Sequence, residues 1–511
     1  MRWLLEVVID GRTYRWSTEP VDVDDDRYMG GLQDPGEVED GSTQLALVLT
    51  DASVDWPAVA PSVQGSAAVL RRWREDTVLE ASVVVLSGEV VSIDWATASD
   101  PVRLLVSSAA AAVMGVPFPP PLARSGSLTW PLAGVVGDEG VCYPVLFGYP
   151  GYEGSTPYPV VPVALAQYTG VRATTRLIVS EDADAPITSV RIRNDAVGVE
   201  ANQNAERVND RLGQRVLVTN FSAAATGYPA AANDARLFYA GFGPAGGGGV
   251  ARSAYDVLVY LLRRWGSGTV DWGRIPEIEG LIGAYLVDSW VDTSIADPWE
   301  WLEQVLLPDL PVAVRVNGNG RRYLVPRILR PLDAQVVAEL TAGRHVEAAS
   351  RVTLERPGPT NEFVAEYRED RTGVYRARVV ITGGSGTDLG VLPGSNPGST
   401  DTQSVTVVRS GRCSASLAQY DRRRDRQVQI IDWTWDEGTV LRVLEDRVER
   451  EALPARRVAY TIRERLRDQL READVVRITD EDLGFDGVLA SIDEPPRVGA
   501  ETTRITLRIP Q

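Results

Sequence analysis

The sequence predicts a mainly β, multidomain protein of the α+β kind: two small β-barrel-like domains, an inserted β domain and a small α/β domain. Three observations carry this. At 511 residues the chain exceeds what one core organises. Short β-branched runs punctuated by Gly and Pro turns recur along most of its length. Helical spacing of apolar residues is confined to a few stretches, so regular βα alternation is absent.

The first unit spans 1–110. RWLLEVVIDGRTYRW sets two strand-like runs around Asp10-Gly11, a pair that favours a type I′ hairpin turn. Leu45, Leu47 and Leu49 alternate with smaller or polar neighbours; VLEASVVVLSGEVVSIDW offers two runs broken at Ser87-Gly88, and VRLLVSS closes the unit. Five or six strands in this length suit a small barrel or sandwich. Prolines at 117 and 119–121 then stop regular structure.

An inserted, peripheral β domain is expected over 111–245, with strands near YPVLF, RATTRLIVS, ITSVRIRN, QRVLVTN and ARLFYAG, and a flexible linker at Gly246 to Gly249. The small α/β domain follows at 250–345. Ser253 caps a helix of about three turns whose Val257, Leu258, Leu261, Leu262 and Trp265 share a face. Asp297-Pro298-Trp299-Glu300 starts a second helix, ended by Pro308, and VAVRV, Asn317-Gly318 and RRYLVPRI make a hairpin. The second β-barrel region, 346–511, reads as RVTLERP, NEFVAEYR and GVYRARVVITG, a polar loop from Gly383 to Thr402, a helix with Val440, Leu441, Leu444 and Val448 on one face, and closing strands.

Composition narrows the chemistry. All 52 cations are Arg, against 70 acidic residues, a formal charge of −18, so the basic footprint of a nucleic-acid binder is missing. Without Lys there is no Schiff-base or P-loop lysine. One histidine, His345, leaves little for zinc sites or acyl-transfer triads, and its place at a domain junction reads as structural. Cys142 and Cys413 lie far apart, outside any CxxC pattern, and read as buried thiols. Glu6 interrupts the apolar run after Arg2 before a signal-peptide core forms, and Leu104 to Phe118 is too short to span a bilayer. No catalytic residue, cofactor site or metal site is assigned, and the chain is not read as an enzyme.

Acidic clusters at Glu19, Asp22 and Asp24 to Asp26, and at Asp480, Glu481, Asp482 and Asp486, do not match EF-hand spacing and read as solvated turns rather than Ca²⁺ ligands. Glu366 and Glu369 could be a glycosidase pair only across a cleft. Trp265, Trp299 and Trp301 sit at helical spacing, where core packing is simpler than sugar stacking. Arg422 to Arg424, flanked by Asp421 and Asp425, read as a neutralised surface or an interface ion-pair network.

The order of these parts, together with SAYDVLVYLLRRWG, VDSWVDTSIADPWEWLEQVLLPDLPVAV, PTNEFVAEYREDRTGVYRARVV and READVVRITDEDLGFDGVLASI, resembles the baseplate or tail hub protein family of tailed phages and gene transfer agents. The resemblance covers about 250–511, and the first barrel is consistent with it. It implies a virion protein at the tail tip: a homotrimer whose two barrel domains per subunit alternate into a pseudo-sixfold ring, a symmetry adaptor between sixfold tail and threefold spike. The partners implied are a distal tail protein or tail tube, a tape-measure protein, and spike or fibre proteins. DNA would pass through the lumen during ejection without stable binding, and the acidic charge suits that passage. The alternatives are a receptor-binding adhesin, which would use the insertion, and a tail-associated cell-wall or capsule hydrolase, for which a catalytic constellation is lacking. A secretion-system spike would continue into a β-helical needle whose repeats this sequence lacks.

Overall fold

The structure, a computed structural model, describes residues 2–18, 31–35, 38–39, 44–50, 62–73, 82–94, 101–108, 141–153, 156–157, 160–162, 164–168, 174–180, 182, 189–194, 199–209, 215–222, 238–242, 251–293, 298–317, 319–347, 351–354, 360–369, 375–384, 404–420, 425–453, 455–462, 470–498 and 503–510. The proline stop at 117–121, the linker at Gly246 to Gly249, the acidic run at Asp22 to Asp26, the cap at Asp297, the arginines at 422–424 and most of the polar loop after Gly383 lie outside them.

The architecture is mainly β, as expected. At the N-terminus, β1 (Arg2–Ile9) and β2 (Arg12–Ser17) form an antiparallel hairpin. Its turn residues both take positive φ, 49° at Asp10 and 74° at Gly11, as a type I′ turn requires. With β4 (Gln44–Leu49), β5 (Ala67–Trp73), β6 (Val83–Asp94) and β7 (Val102–Ser108) the sheet order is β2-β1-β5-β6-β7-β4. Residues 31–33 close this curled sheet. Leu32 N–H donates to the Ser17 carbonyl at the end of β2, while Gln33 N–H donates to the Val48 carbonyl and Leu32 bridges Leu49 on β4. Alternation puts Trp3, Leu5, Val7 and Trp16 into the interior with Leu47, Leu49, Leu70 and Leu104.

Ser87-Gly88 does not break this unit into two runs. β6 passes through both, Gly88 pairing with Ala68 on one side and Ser108 on the other, and its two irregularities fall instead between Val84 and Leu86, against β5, and between Val90 and Ser92, against β7. Across the sheet Glu6 accepts from Arg15 Nε at 2.9 Å and Arg71 Nε at 3.0 Å. Burial opposes its ionisation, but the two guanidiniums outweigh that and hold its carboxyl below the usual range. A carboxylate lowered by folding stabilises above its unfolded pKa, and that stability is lost as pH falls through the folded value. Glu6→Gln should therefore lower the urea midpoint of this unit at pH 7, with the difference shrinking below about pH 4.

In the inserted stretch, β11 (Val161–Pro162), β12 (Ala164–Tyr168), β13 (Thr174–Ser180), β14 (Ser189–Asn194), β15 (Val199–Asn209), β16 (Arg215–Ser222) and β17 (Phe238–Phe242) form a seven-stranded sheet, order β11-β17-β14-β15-β16-β13-β12. The short β9 (Tyr152–Glu153) and β10 (Thr156–Pro157) pair with each other. β8 (Val141–Phe147) belongs elsewhere: it pairs antiparallel with β18 (Ser289–Thr293), and Val145 and Phe147 join a core shared with later residues.

That central core gathers α1 (Ala254–Trp265), α2 (Glu279–Ile282), α3 (Pro298–Trp301) with the turns that continue it to Asp309, and the hairpin of β19 (Val312–Val316) and β20 (Arg322–Pro326). Ser253 caps α1, its hydroxyl accepting from Asp256 N–H at 3.0 Å. Pro308 lies inside a 3₁₀ turn at Leu307–Asp309 rather than beyond the helix. The remaining wall comes from far along the chain. β23 (Thr360–Glu369), β24 (Tyr375–Thr382), β25 (Ser404–Arg409) and β26 (Asp425–Ile431) form a sheet ordered β25-β24-β23-β26, covered by α4 (Gly411–Gln419) and α5 (Glu437–Glu451). Val440, Val443, Leu444 and Val448 of α5 are buried against it, while Leu441 is only partly buried.

A second curled sheet is assembled from chain segments on either side of that wall. Its path is β21 (Val336–Thr341), β28 (Val475–Asp480), β29 (Phe485–Ile492), β31 (Thr503–Ile509), β27 (Arg456–Ile462) and β22 (Arg351–Leu354). Thr341 to Glu347 closes it, with Val346 bridging Ile462 and Glu347 N–H donating to the Thr461 carbonyl. One further pairing joins residues far apart in the sequence. β3 (Val38–Glu39) lies antiparallel to β30 (Arg497–Val498), which itself pairs with β31. No helix among the described residues is long and apolar enough to cross a membrane.

Candidate functional site

Two features concentrate exposed or charged chemistry on the central wall and its junctions. The first is the outer face of the four-stranded sheet. Register places Val407, Val380, Val364 and Val428 in one row across all four strands, and Val405, Arg378, Glu366 and Ile430 in the next. The opposite face carries Phe363, Ala365, Tyr367, Val379, Ile381 and Ile431 into the core. On the outer face the middle of each row is buried. Val364 and Val380 have almost no exposure, and Arg378 is ion-paired with Glu366. The ends are open, with Val405 and Val407 about two-fifths exposed on β25 and Val428 and Ile430 over half exposed on β26. Four of the ten large exposed hydrophobics among the described residues therefore lie on these two edge strands. Five of the other six, Val8, Val83, Val91, Val337 and Val352, lie on strands of the two curled sheets.

The second feature is a set of buried carboxylates that lock this wall to the central unit. Asp288, with no exposure, accepts from Arg252 Nε at 2.9 Å and Nη2 at 3.2 Å, Tyr149 N–H at 3.0 Å and Trp435 N–H at 3.3 Å. Asp309 accepts from Trp433 Nε1 at 2.9 Å, from Gln429 Nε2 and from Arg447 Nη2 at 3.3 Å. Glu449 is ion-paired with Arg330 and Arg412. Tyr285 donates to Asp446, and burial followed by that carboxylate pushes the phenol well above its ordinary range. Gly148 lies against the first junction: its φ is +59°, and a Cβ there would meet the Val287 carbonyl oxygen at 2.0 Å. Gly148→Ala should cost about 2–4 kcal/mol through a strained backbone and a forced shift, read as faster hydrogen exchange in β8 and β18.

The residues singled out from the sequence are dispersed. His345 accepts from Thr341 N–H through Nδ1 at 3.3 Å inside the closing turn of the second barrel-like sheet, which is a structural role. Asp480 corrects the solvated reading of its cluster. It is buried, accepts from Tyr460 O–H at 2.8 Å and from Asp482 and Leu483 N–H, and organises the β28–β29 turn; Glu481, Asp482 and Asp486 are exposed. No group of three or more metal-ligating side chains occurs among the described residues. Glu366 is bound by Arg378, and Glu369 lies further along β23 facing Tyr375, so the two do not make a pair across a cleft. Trp299 and Trp301 are core residues, and Trp265 packs edge-on against Tyr260 beneath Arg264. Cys413 is buried, and desolvation pushes its thiol up to about 11; Cys142 lies on β8, with its side chain outside the described residues.

No protein-family model matches the chain, and no curated protein matches it. Among solved structures it is similar to the 43 kDa tail protein of prophage MuSo2 from Shewanella oneidensis, at 10% identity and a TM-score of 0.38, covering 99% of this chain and 98% of that one. It is also similar to a tail protein from Neisseria meningitidis, at 8% identity and TM-score 0.36 over 100% of this chain and 96% of that one. A chain of the native gene transfer agent virion is similar at 12% identity and TM-score 0.43, over 74% of this chain and 86% of that one.

Proposed function

We propose that the chain is a structural virion protein, the trimeric hub at the distal end of a phage or phage-like tail. One observation supports this reading above others. The chain contains two curled sheets with six-stranded paths, each closed on itself by a short segment, and β3, from the stretch between the strands of the first sheet, pairs at the margin of the second. Three such chains present six similar units, the arithmetic of a ring that meets a sixfold tail on one side and a threefold spike on the other. The four-stranded sheet leaves apolar side chains exposed on both of its edge strands, β25 and β26. In this reading a second copy packs there. The seven-stranded sheet of the insertion lies on the periphery, the net charge of −18 lets DNA pass without sticking, and no catalytic step is assigned.

Cryo-electron microscopy of intact particles tests the proposal, with three copies expected at the tail tip; six copies, one copy, or absence from the particle overturns it. The double variant Val407→Glu/Ile430→Glu should fold as the unmodified chain does, because both sites are exposed, yet fail to enter that ring. Wild-type incorporation of this variant would remove the proposed contact while leaving the symmetry count to decide the hub reading.

A further inference from the structure

A cleft of about 600 Å³ opens where the β19–β20 hairpin, the last turn of α5 and the second curled sheet meet. Five guanidiniums line it against four carboxylates. Three are already engaged: Arg315 is held by Glu472 with a shortest contact of 2.7 Å, Arg457 by Asp493 at 2.7 Å, and Arg508 has partners of its own. Two cations are left over. The Arg327 guanidinium has no hydrogen-bonded or ion-paired partner among the described residues, and the residue stays open to water. Arg450 reaches the Asp446 carbonyl through Nε at 3.4 Å, but its Nη2 is buried with no hydrogen-bond partner among the described residues.

Such an arrangement costs stability in the chain by itself. Burial, then the neighbouring Arg315, hold Arg327 below the ordinary arginine range; burial, then Arg327 and Arg447, do the same to Arg450. Like charges brought together in a concave, partly dry place, with donors left unused, are the signature of a site arranged for an anion. The local surplus is a single positive charge, since Glu451, Glu472, Asp493 and Glu494 occupy the same walls. That balance fits one carboxylate group, which a guanidinium fork can grip through two oxygens, and disfavours a phosphate group with two charges on one centre or a nucleic-acid strand.

We propose that this cleft is a carboxylate-binding site, gripped by Arg327 and Arg450 and not assigned to any role above. The carboxylate is supplied either by an acidic side chain of a neighbouring protein or by a free small acid. The site is independent of the hub reading, since it requires only the folded chain.

Calorimetric titration of the purified full chain with glutarate, with N-acetyl-Gly-Glu-Gly-amide, with glutaramide and with inorganic phosphate tests it. Binding of a carboxylate probe is expected, with glutaramide silent and phosphate no better than either acid. A tighter peptide identifies a protein side chain as the natural occupant, and tighter glutarate a free acid. Arg327→Gln and Arg450→Gln should each weaken that binding about tenfold. Arg327→Gln should also raise the melting temperature of the ligand-free protein by about 1–3 °C, because it removes a repelled cation. Absence of carboxylate binding, equal binding of glutaramide, or preference for phosphate overturns the proposal. So does a lower melting temperature in Arg327→Gln, which would make that guanidinium a structural tie.

Discussion

Replacing Asp288 with Ala is expected to destabilise the central unit by about 3–5 kcal/mol, because breaking a buried, hydrogen-bonded ion pair strands the remaining charge. The carboxylate joins three stretches at once: Tyr149 after β8, Arg252 before α1 and Trp435 before α5. Its loss leaves the Arg252 guanidinium unpaired and two backbone N–H groups without an acceptor. Hydrogen exchange should report accelerated opening of β8, β18 and the start of α5 together, with the first curled sheet unchanged. Protection falling in β8 alone would show that the three stretches are held by something other than this carboxylate. Asp288→Asn tests the charge separately, since it keeps an acceptor oxygen but gives Arg252 no counter-ion.

Trp433→Ala should have an effect of similar size, about 3–5 kcal/mol, by a different route. The indole is 1% exposed among Ile431, Val440 and their neighbours, and its Nε1 donates to Asp309. Truncation leaves a cavity and also removes one of the donors that hold Asp309 in place. Trp433→Phe separates the two contributions: it fills most of the space but lacks the N–H, and should cost about 1–3 kcal/mol. Equal losses in both variants, measured from urea midpoints, would mean that the hydrogen bond dominates and the packing is replaceable.

Local chemistry was readable in the sequence wherever neighbours in the chain are also neighbours in space. Asp10-Gly11 makes the expected turn, Ser253 caps the expected helix, and Val440, Leu444 and Val448 form the expected face. Strands that lack apolar alternation escaped. β15, with the sequence VEANQNAERVN, carries the ladder through the middle of its sheet with mostly polar side chains; β25 and β26 do alternate, at Val405 and Val407 and at Val428 and Ile430, but hide beside a polar loop and an arginine run. Partners distant in sequence escaped for another reason. Nothing in VCYPVLF announces that it pairs with residues some 140 positions later, and an aspartate in VDSW reads as a turn until Arg252 and Trp435 are brought to it. The functional features share this fault. The apolar edges and the charged cleft are each composed from several segments, so no local window contains them.

The pairing of β3 with β30 has a consequence for biosynthesis. Val38 and Glu39 leave the ribosome some 460 residues ahead of their partners Arg497 and Val498. The second curled sheet waits equally long, because β21 must find β28, and β22 must find β27, across the whole inserted wall. Nascent chains therefore fold the first curled sheet and the central core while the final sheet is still unbuilt, and long-range parallel pairing makes its closure slow. A nascent chain that has not reached Arg497 would carry a finished first curled sheet with no mate for β3, so this pairing forms only after residues 497–498 have been made.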